Sequence, residues 1–154
     1  GKDAQAHERE VEGVIQMSAY NALNAAVYSR LSADAALGSL LGGTVGKVFY
    51  QQAPDNYAYP YVVFDWQAGG DENLTPSRMK NMVMHVRGYN TTGAALAGTI
   101  DARLDTLLHN YTFTVVGWTN FQTMREEDIS IVENPPDGEK VFHAGGLYRV
   151  RLGV

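Results

Sequence analysis

Residues 81–109 read NMVMHVRGYNTTGAALAGTIDARLDTLLH, and this stretch decides the fold. At its start Met82, Met84 and Val86 alternate with mostly polar residues, which predicts a strand with one covered face and one wetter face. From about residue 92 the apolar residues recur every three or four positions instead, which predicts an amphipathic helix ending near residue 109. A half-covered strand followed by such a helix indicates a helix packed on a sheet.

The predicted helix of residues 92–109 has signals at both ends. Asn90 or Thr91 can cap its N-terminus through a side-chain oxygen, and Asn110 is expected to stop it. At 1.5 Å per residue the helix would span about 27 Å, enough to cross a sheet of about five strands. Its apolar stripe consists of Leu96, Ile100, Leu104, Leu107 and Leu108.

A second amphipathic helix is predicted nearer the N-terminus. Ser18 can cap it, and a shorter helical turn follows, capped by Ser32 or Asp34. Gly42-Gly43 is expected to end that turn, because glycine accepts the left-handed conformation that a helix end requires. The apolar residues that share one face of the first helix are Tyr20, Leu23, Val27 and Leu31.

Extended segments account for most of the remaining chain, and the order of helix, strands, helix and strands is typical of the α+β class. We therefore predict one α+β domain over residues 17–154. In it, an antiparallel or mixed sheet of about five strands carries two main helices on one face. Residues 1–16 are predicted to form an N-terminal arm. The predicted strands cover residues 45–50, 61–66, 81–89, 112–117, 119–133 and 143–152.

Composition excludes several classes of function. The 154 residues include no Cys, which removes disulfides, zinc–thiolate sites and cysteine nucleophiles. No apolar run is long enough to span a membrane, so we expect no membrane partner. The net charge is −5 and Lys and Arg do not cluster, so we expect no specific binding of DNA.

Motifs for catalysis or cofactor binding are missing as well. The four His residues lack a second His at i+3 or i+4, and His85 is expected on the wetter sheet face as a surface or interface residue. Residues 42–47, GGTVGK, resemble a phosphate-binding loop only faintly, because a helix precedes them and a strand follows. Glu126, Glu127 and Asp128 alternate in direction along a strand and do not converge. The sequence therefore predicts no enzyme, no cofactor and no metal.

Two polar connections do not fit the core and are the predicted contact sites. Residues 68–80 are longer than most connections without a function of their own, and residues 134–140 form a rigid Pro-Pro turn. We expect Arg78, Lys80 and Lys140 to pair with an acidic neighbour; the alternative is a pair of solvated loops. The residues predicted to make inter-subunit or inter-ring contacts are Asp71, Glu72, Arg78, Lys80, Asp137, Glu139 and Lys140.

Four segments, in this order, resemble the tail-terminator or tail-completion family of long-tailed phages and gene-transfer agents. They are ALGSLLGG (residues 36–43), PYVVF (60–64), HVR (85–87) and LDTLLH (104–109). The likeness runs from about Ser18 to Leu152, while residues 1–16 and 111–142 depart from the family. The resemblance implies a structural virion protein, assembled in the host cytoplasm and placed at the head-proximal end of the tail.

On this resemblance the chain would form a hexameric ring that caps the tail tube, stops its polymerisation and joins the tail to the head connector. DNA would pass through the ring without specific binding. The partners implied are like copies of the chain, the tail tube protein and a connector or neck protein. Two alternatives stay open: another neck or head–tail joining ring of the same virion, and a generic non-enzymatic binding module.

Overall fold

The computed structural model of the protein describes residues 18–43, 46–72 and 78–154. The predicted arm, residues 1–16, lies outside the described residues. Three helices and six strands follow one another along the described residues. They are α1 (Ala19–Ser32), α2 (Ala35–Leu40), β1 (Val48–Tyr50), β2 (Tyr61–Asp71), β3 (Met79–Asn90), α3 (Ala94–Leu108), β4 (Thr114–Val115), β5 (Trp118–Glu133) and β6 (Val141–Gly153).

The six strands form one mixed sheet in the order β1-β2-β3-β6-β5-β4. β1 runs parallel to β2 at one edge, and the other neighbouring strands are antiparallel. The predicted α+β fold is confirmed, with one strand more than the expected five or so. β6 lies inside the sheet between β3 and β5, so it joins the β1-β2-β3 part of the sheet to the β5-β4 part.

The helices pack on one face of the sheet. The β3 residues predicted to face the core, Met82, Met84 and Val86, are fully buried on that face. Burying one large apolar side chain contributes about 1.5–3 kcal/mol, so this shared face is the main source of stability. The helices add Leu23, Val27, Leu31, Leu37, Ile100, Leu104 and Leu108 to the same core.

Local hydrogen bonds set the helix ends. The Asp34 carboxylate accepts a 2.8 Å hydrogen bond from the backbone N–H of Leu37, which caps α2 as predicted. Ser18 holds the N-cap position of α1, but its side chain makes no capping hydrogen bond. Gly93, and not Asn90 or Thr91, holds the N-cap position of α3, where the Asn90 amide oxygen accepts from the backbone N–H groups of Thr92 and Gly93.

Residues 68–80 are predicted as one long polar connection, but most of those that the structure describes are strand. β2 continues to Asp71, β3 begins at Met79, and Asp71 pairs with Lys80 in the ladder. The prediction was wrong because it required apolar alternation. Where both faces of a hairpin are exposed to water, polar residues and glycine can continue the strand pairing without alternating apolar residues. Residues 73–77 of the turn lie outside the described residues.

Candidate assembly surfaces

The tip of the β2–β3 hairpin holds four of the predicted contact residues. The Asp71 carboxylate lies 3.5 Å from the Arg78 guanidinium and 2.5 Å from the Lys80 ammonium. Lys80 first, and then Arg78, hold the pKa of the Asp71 carboxyl below its usual range. Glu72 accepts a hydrogen bond from the Asn81 amide. Arg78 and Lys80 therefore share one carboxylate within the chain, although the Arg78 side chain is 61% exposed and can still meet a partner.

The β5–β6 turn, residues 134–140, is exposed along its whole length. Its three charged residues, Asp137, Glu139 and Lys140, take part in none of the ion pairs formed by the described residues. The turn therefore presents two carboxylates and one ammonium that have no counter-charge in this part of the chain.

The two hairpins lie at opposite ends of the sheet. In the β3–β6 ladder Met79, beside the first hairpin, pairs with Gly153, whereas Asn90 pairs with Phe142, beside the second. β3 is 12 residues long, so the two ends are separated by roughly 37 Å at the usual rise per residue. Both predicted contact regions are thus available at once to different neighbours.

The sheet face turned away from the helices carries a row of stacked rings. We call it the open face; it consists of the β2, β3, β6 and β5 residues that alternate with the core residues, such as Val63, His85 and Leu147. None of these three belongs to the core beneath the helices. Across the strands the row runs Tyr59, Tyr61, Tyr89 and His143, with centroid separations of 4.9, 5.5 and 4.7 Å in turn.

Four buried side-chain atoms among the described residues lack a hydrogen-bond partner, and all four lie on the open face. They are Asp65 Oδ1, His85 Nε2, His143 Nδ1 and Arg151 Nε. His85 lies on the predicted sheet face, but at 7% exposure it is not a surface residue, and His143 is 1% exposed. Because buried polar atoms nearly always have partners, the open face is incompletely bonded in the single chain.

Burial keeps the two histidines neutral near pH 7. It is the largest cause that lowers the pKa of His85 and of His143 below 6.5, and the Arg87 guanidinium lowers both further. The Gln67 amide nitrogen lies 3.5 Å from His85 Nδ1 and the Asp65 carboxylate lies 3.6 Å from the same atom, whereas His85 Nε2 has no partner among the described residues. On His143, Nε2 lies 3.2 Å from the Glu133 carboxylate.

On the helix side of the sheet, Arg125 joins β5 to α3. Its guanidinium donates to both Asp101 carboxylate oxygens at 2.8 and 3.0 Å, to the Tyr148 hydroxyl at 3.1 Å and to the Gly145 carbonyl at 2.9 Å. The hydrogen bond to Asp101 is the largest cause that raises the Arg125 pKa. A Cβ on Gly146 would lie 2.8 Å from Arg125 Nε, so glycine makes room for this side chain. The arrangement holds two elements together and contains no reactive group.

The acidic run of β5 does not follow the simple alternation that was predicted, because a β-bulge lies between Arg125 and Glu127. Glu126 pairs with Arg149 on the open face, and Asp128 pairs with Arg125 on the helix side. In the described ranges no group of three or more His, Cys, Asp or Glu side chains could hold a metal ion. Within those ranges, too, the helices fall short of the length and apolarity needed to cross a membrane.

The outer edge of β5 is only partly covered. β4 pairs with residues 118–119, and the Asn110 N–H donates to the Thr123 carbonyl, but no described strand pairs with the outer edge from residue 126 to residue 133. Ile131 and Val132, near the end of this edge, are about half exposed. An open strand edge with exposed apolar side chains can bind another chain.

The open face is not among the contact sites predicted from the sequence. The alternation of His85 and Arg87 with the core residues was visible, but it indicated only a wetter face. The burial of His85 and His143 depends on how neighbouring strands bring their side chains together, which one strand's pattern does not show.

Comparison with known proteins identifies the family. The family model described as Tail completion protein gp17 matches residues 25–143, which is 119 of the 154 residues. This chain belongs to that family. Membership confirms the resemblance predicted from the four sequence segments.

Solved structures share the fold. A chain from the virion of a native gene transfer agent particle superimposes with a TM-score of 0.73 at 19% identity, covering 90% of this chain and 100% of its own. A second solved structure has a TM-score of 0.52 at 18% identity, covering 90% of this chain and 96% of its own. At these identities the likeness concerns the fold alone. No curated protein sequence matches the chain.

Family membership makes this a structural tail protein. That role agrees with the predicted absence of catalysis, because a tail component needs surfaces for assembly and no reacting site. The two hairpin tips, the open face and the outer edge of β5 are the candidate surfaces.

Proposed function

We propose that this tail completion protein forms a ring of six copies that caps the tail tube, stops its polymerisation and joins the tail to the head connector. The observation that carries the proposal is the pair of exposed hairpin tips at opposite ends of one sheet, roughly 37 Å apart, in a chain of this family. A ring between two other components needs contact residues at both ends of each subunit, and a rigid sheet fixes their separation.

The proposed partners are like copies of the chain, the tail tube protein and the connector or neck protein. The proposed contact residues at one end are Asp71, Glu72, Arg78 and Lys80, and at the other Asp137, Glu139 and Lys140. In the virion the ring would lie at the head-proximal end of the tail, after assembly in the host cytoplasm.

DNA would pass through the ring without specific binding. The chain carries a net charge of −5, and Arg103, Arg125 and Arg149 are each paired with a carboxylate of the same chain. The acidic net charge and these internal ion pairs both weaken attraction to phosphate, and binding to DNA depends on the number of phosphates neutralised.

Native mass spectrometry of the purified chain, followed by electron microscopy with tail tubes, tests the proposal. A hexamer, or a monomer that becomes a ring on tube ends and halts tube growth, supports it. Binding to the connector without capping tubes would indicate another neck ring. A chain that neither self-associates nor affects tube growth would refute the proposal.

Shortening the β2–β3 hairpin tests its contact role directly. We expect replacement of residues 70–78 by a short Gly-Ser link to leave folding intact, because the buried ladder residues Phe64 and Met84 lie well inside the sheet. Tube capping should be lost. The matched control replaces residues 135–139 of the opposite turn in the same way, which should spare one junction and weaken the other. Capping that survives the first replacement removes this hairpin from the tube interface.

A further inference from the structure

The outer edge of β5 is used differently along its length. Before the β-bulge, its outward-facing backbone groups are bonded within the chain: the Thr123 carbonyl accepts from the Asn110 N–H, and the Arg125 N–H donates to His109 Nδ1. These bonds also show which groups of β5 point away from β6. The edge that follows, residues 126–133, is the part with which no described strand pairs.

The groups that point outward beyond the bulge can be assigned. Outward and inward backbone groups alternate along an antiparallel strand. The bulge between Arg125 and Glu127 inserts one extra residue, which shifts the alternation by one position. The outward-facing N–H and C=O groups that follow therefore belong to Asp128, Ser130 and Val132. This part of the edge offers hydrogen bonds that a strand of another chain can complete.

A groove of about 460 Å³ lies beside this edge, between β5 and α3. Its α3 wall includes Gly98 and Ala102, and open space surrounds the position that a Cβ on Gly98 would take. Walls this small leave room for a long side chain from outside. A strand added to β5 would lie about 4.8 Å beyond it, so every second side chain of that strand would point to the side of the groove.

The groove is acidic. The carboxylates of Asp101, Asp105 and Asp128 lie 2.8, 3.6 and 2.7 Å from the Arg125 guanidinium, which is the one cation among the described residues that line the groove. Three carboxylates against one guanidinium leave two net negative charges. The side chains of Asp105 and Asp128 are 42% and 88% exposed. A lysine from outside can therefore reach a carboxylate while its methylene stem packs along the groove.

We propose that the outer edge of β5, residues 126–133, binds an extended basic segment of another protein by strand addition. Lysine or arginine at alternate positions of that segment faces the groove. Apolar residues between them lie on the opposite side, beside the exposed Ile131. In binding of this kind the backbone hydrogen bonds give affinity and the alternate side chains give specificity. The proposal goes beyond the ring and does not depend on it.

The charge of the groove favours another protein over a second copy of this chain. The opposite edge of the sheet is formed by β1 and, beyond Phe64, by β2, and these two strands contain no Lys or Arg. Residues 1–16 contain two basic and four acidic residues, so they are acidic as well. None of these segments complements the groove, whereas a basic segment does.

Peptide binding to the full chain tests the proposal. The probe is an acetylated and amidated peptide in which lysine and valine alternate. One matched probe has glutamate in place of each lysine, and another has methylated backbone nitrogens. Binding is followed by amide chemical shifts in NMR and by fluorescence anisotropy. We expect the lysine peptide to shift the amides of residues 126–133 and to bind at least about tenfold more tightly than either matched probe.

Variants of the chain separate backbone pairing from charge. Ser130→Pro removes an outward-facing N–H, which an edge strand tolerates, so folding should persist while peptide binding is lost. Ser130→Ala keeps this N–H and should bind like the wild type. Asp128→Lys should weaken binding about tenfold by repelling the lysine peptide, whereas Asp55→Lys, an exposed change near the β1 edge, should not. Circular dichroism checks the fold of each variant.

Several results would overturn the proposal. The basic partner is wrong if the lysine peptide does not bind, binds no better than the glutamate peptide, or shifts only other residues. Strand addition is wrong if Ser130→Pro binds as tightly as Ser130→Ala; should Ser130→Pro not fold, equal binding of the methylated peptide to the wild type decides the same point. Shifts at residues 126–133 that depend on protein concentration alone would show that a second copy covers this edge. The number of copies in the assembly is measured separately, so the ring proposal stands or falls independently.

Discussion

Replacing Arg125 by Ala should destabilise the protein more than any comparable change at an exposed ion pair. Arg125 is 14% exposed and donates to Asp101, Tyr148 and the Gly145 carbonyl, while its Nε lies 2.7 Å from Asp128. Removing it leaves Asp101, itself largely buried, without its bidentate partner. Breaking a buried pair typically costs 3–5 kcal/mol, and because Asp101 keeps some contact with water we expect about 2–4 kcal/mol here.

Thermal and urea unfolding measure this loss. For a chain of this length about 3 kcal/mol corresponds to a fall in Tm of roughly 6–12 °C. Arg125→Lys keeps the charge but not the bidentate geometry, so its loss should be intermediate. The matched control is Arg78→Ala, where the lost pair with Asp71 is exposed and should contribute little to stability. If the Tm of Arg125→Ala falls no further than the Tm of the control, Arg125 is not the residue that holds β5 against α3.

Two further predictions concern stability. Burial holds the folded-state pKa values of His85 and His143 below 6.5, so the unfolded chain takes up protons first as the pH falls. Stability should therefore decrease as the pH drops below 6.5, with urea midpoints as the measurement. A His143→Gln variant that keeps the full slope would contradict this. Gly146→Ala should lower the free energy of unfolding by about 1–3 kcal/mol, because the added Cβ would meet Arg125. Gly98→Ala, in the middle of α3 with open space around it, should raise the free energy of unfolding by up to about 1 kcal/mol. Equal effects of the two changes in chemical denaturation would show that the close contact at Gly146 is unimportant.

Local patterns were enough to predict most helices and strands. The alternation of Met82, Met84 and Val86 has the period of a strand, and the repeat from Leu96 to Leu108 has the period of a helix; both periods follow from backbone geometry. The same patterns predicted which face of each element would enter the core, and the Pro-Pro turn at residues 134–140 was predicted from its composition.

What the sequence alone determined was therefore the α+β class, the order of elements and the covered sheet face. Only the tertiary structure decided that residues 68–71 and 79–80 continue a hairpin, that Arg125 reaches Asp101, and that His85 is buried. These features depend on which residues the strand register brings together across tens of positions of sequence. Local periodicity shows which residues of a strand share a face, but the neighbours that meet on that face are fixed only by the packing of the folded chain.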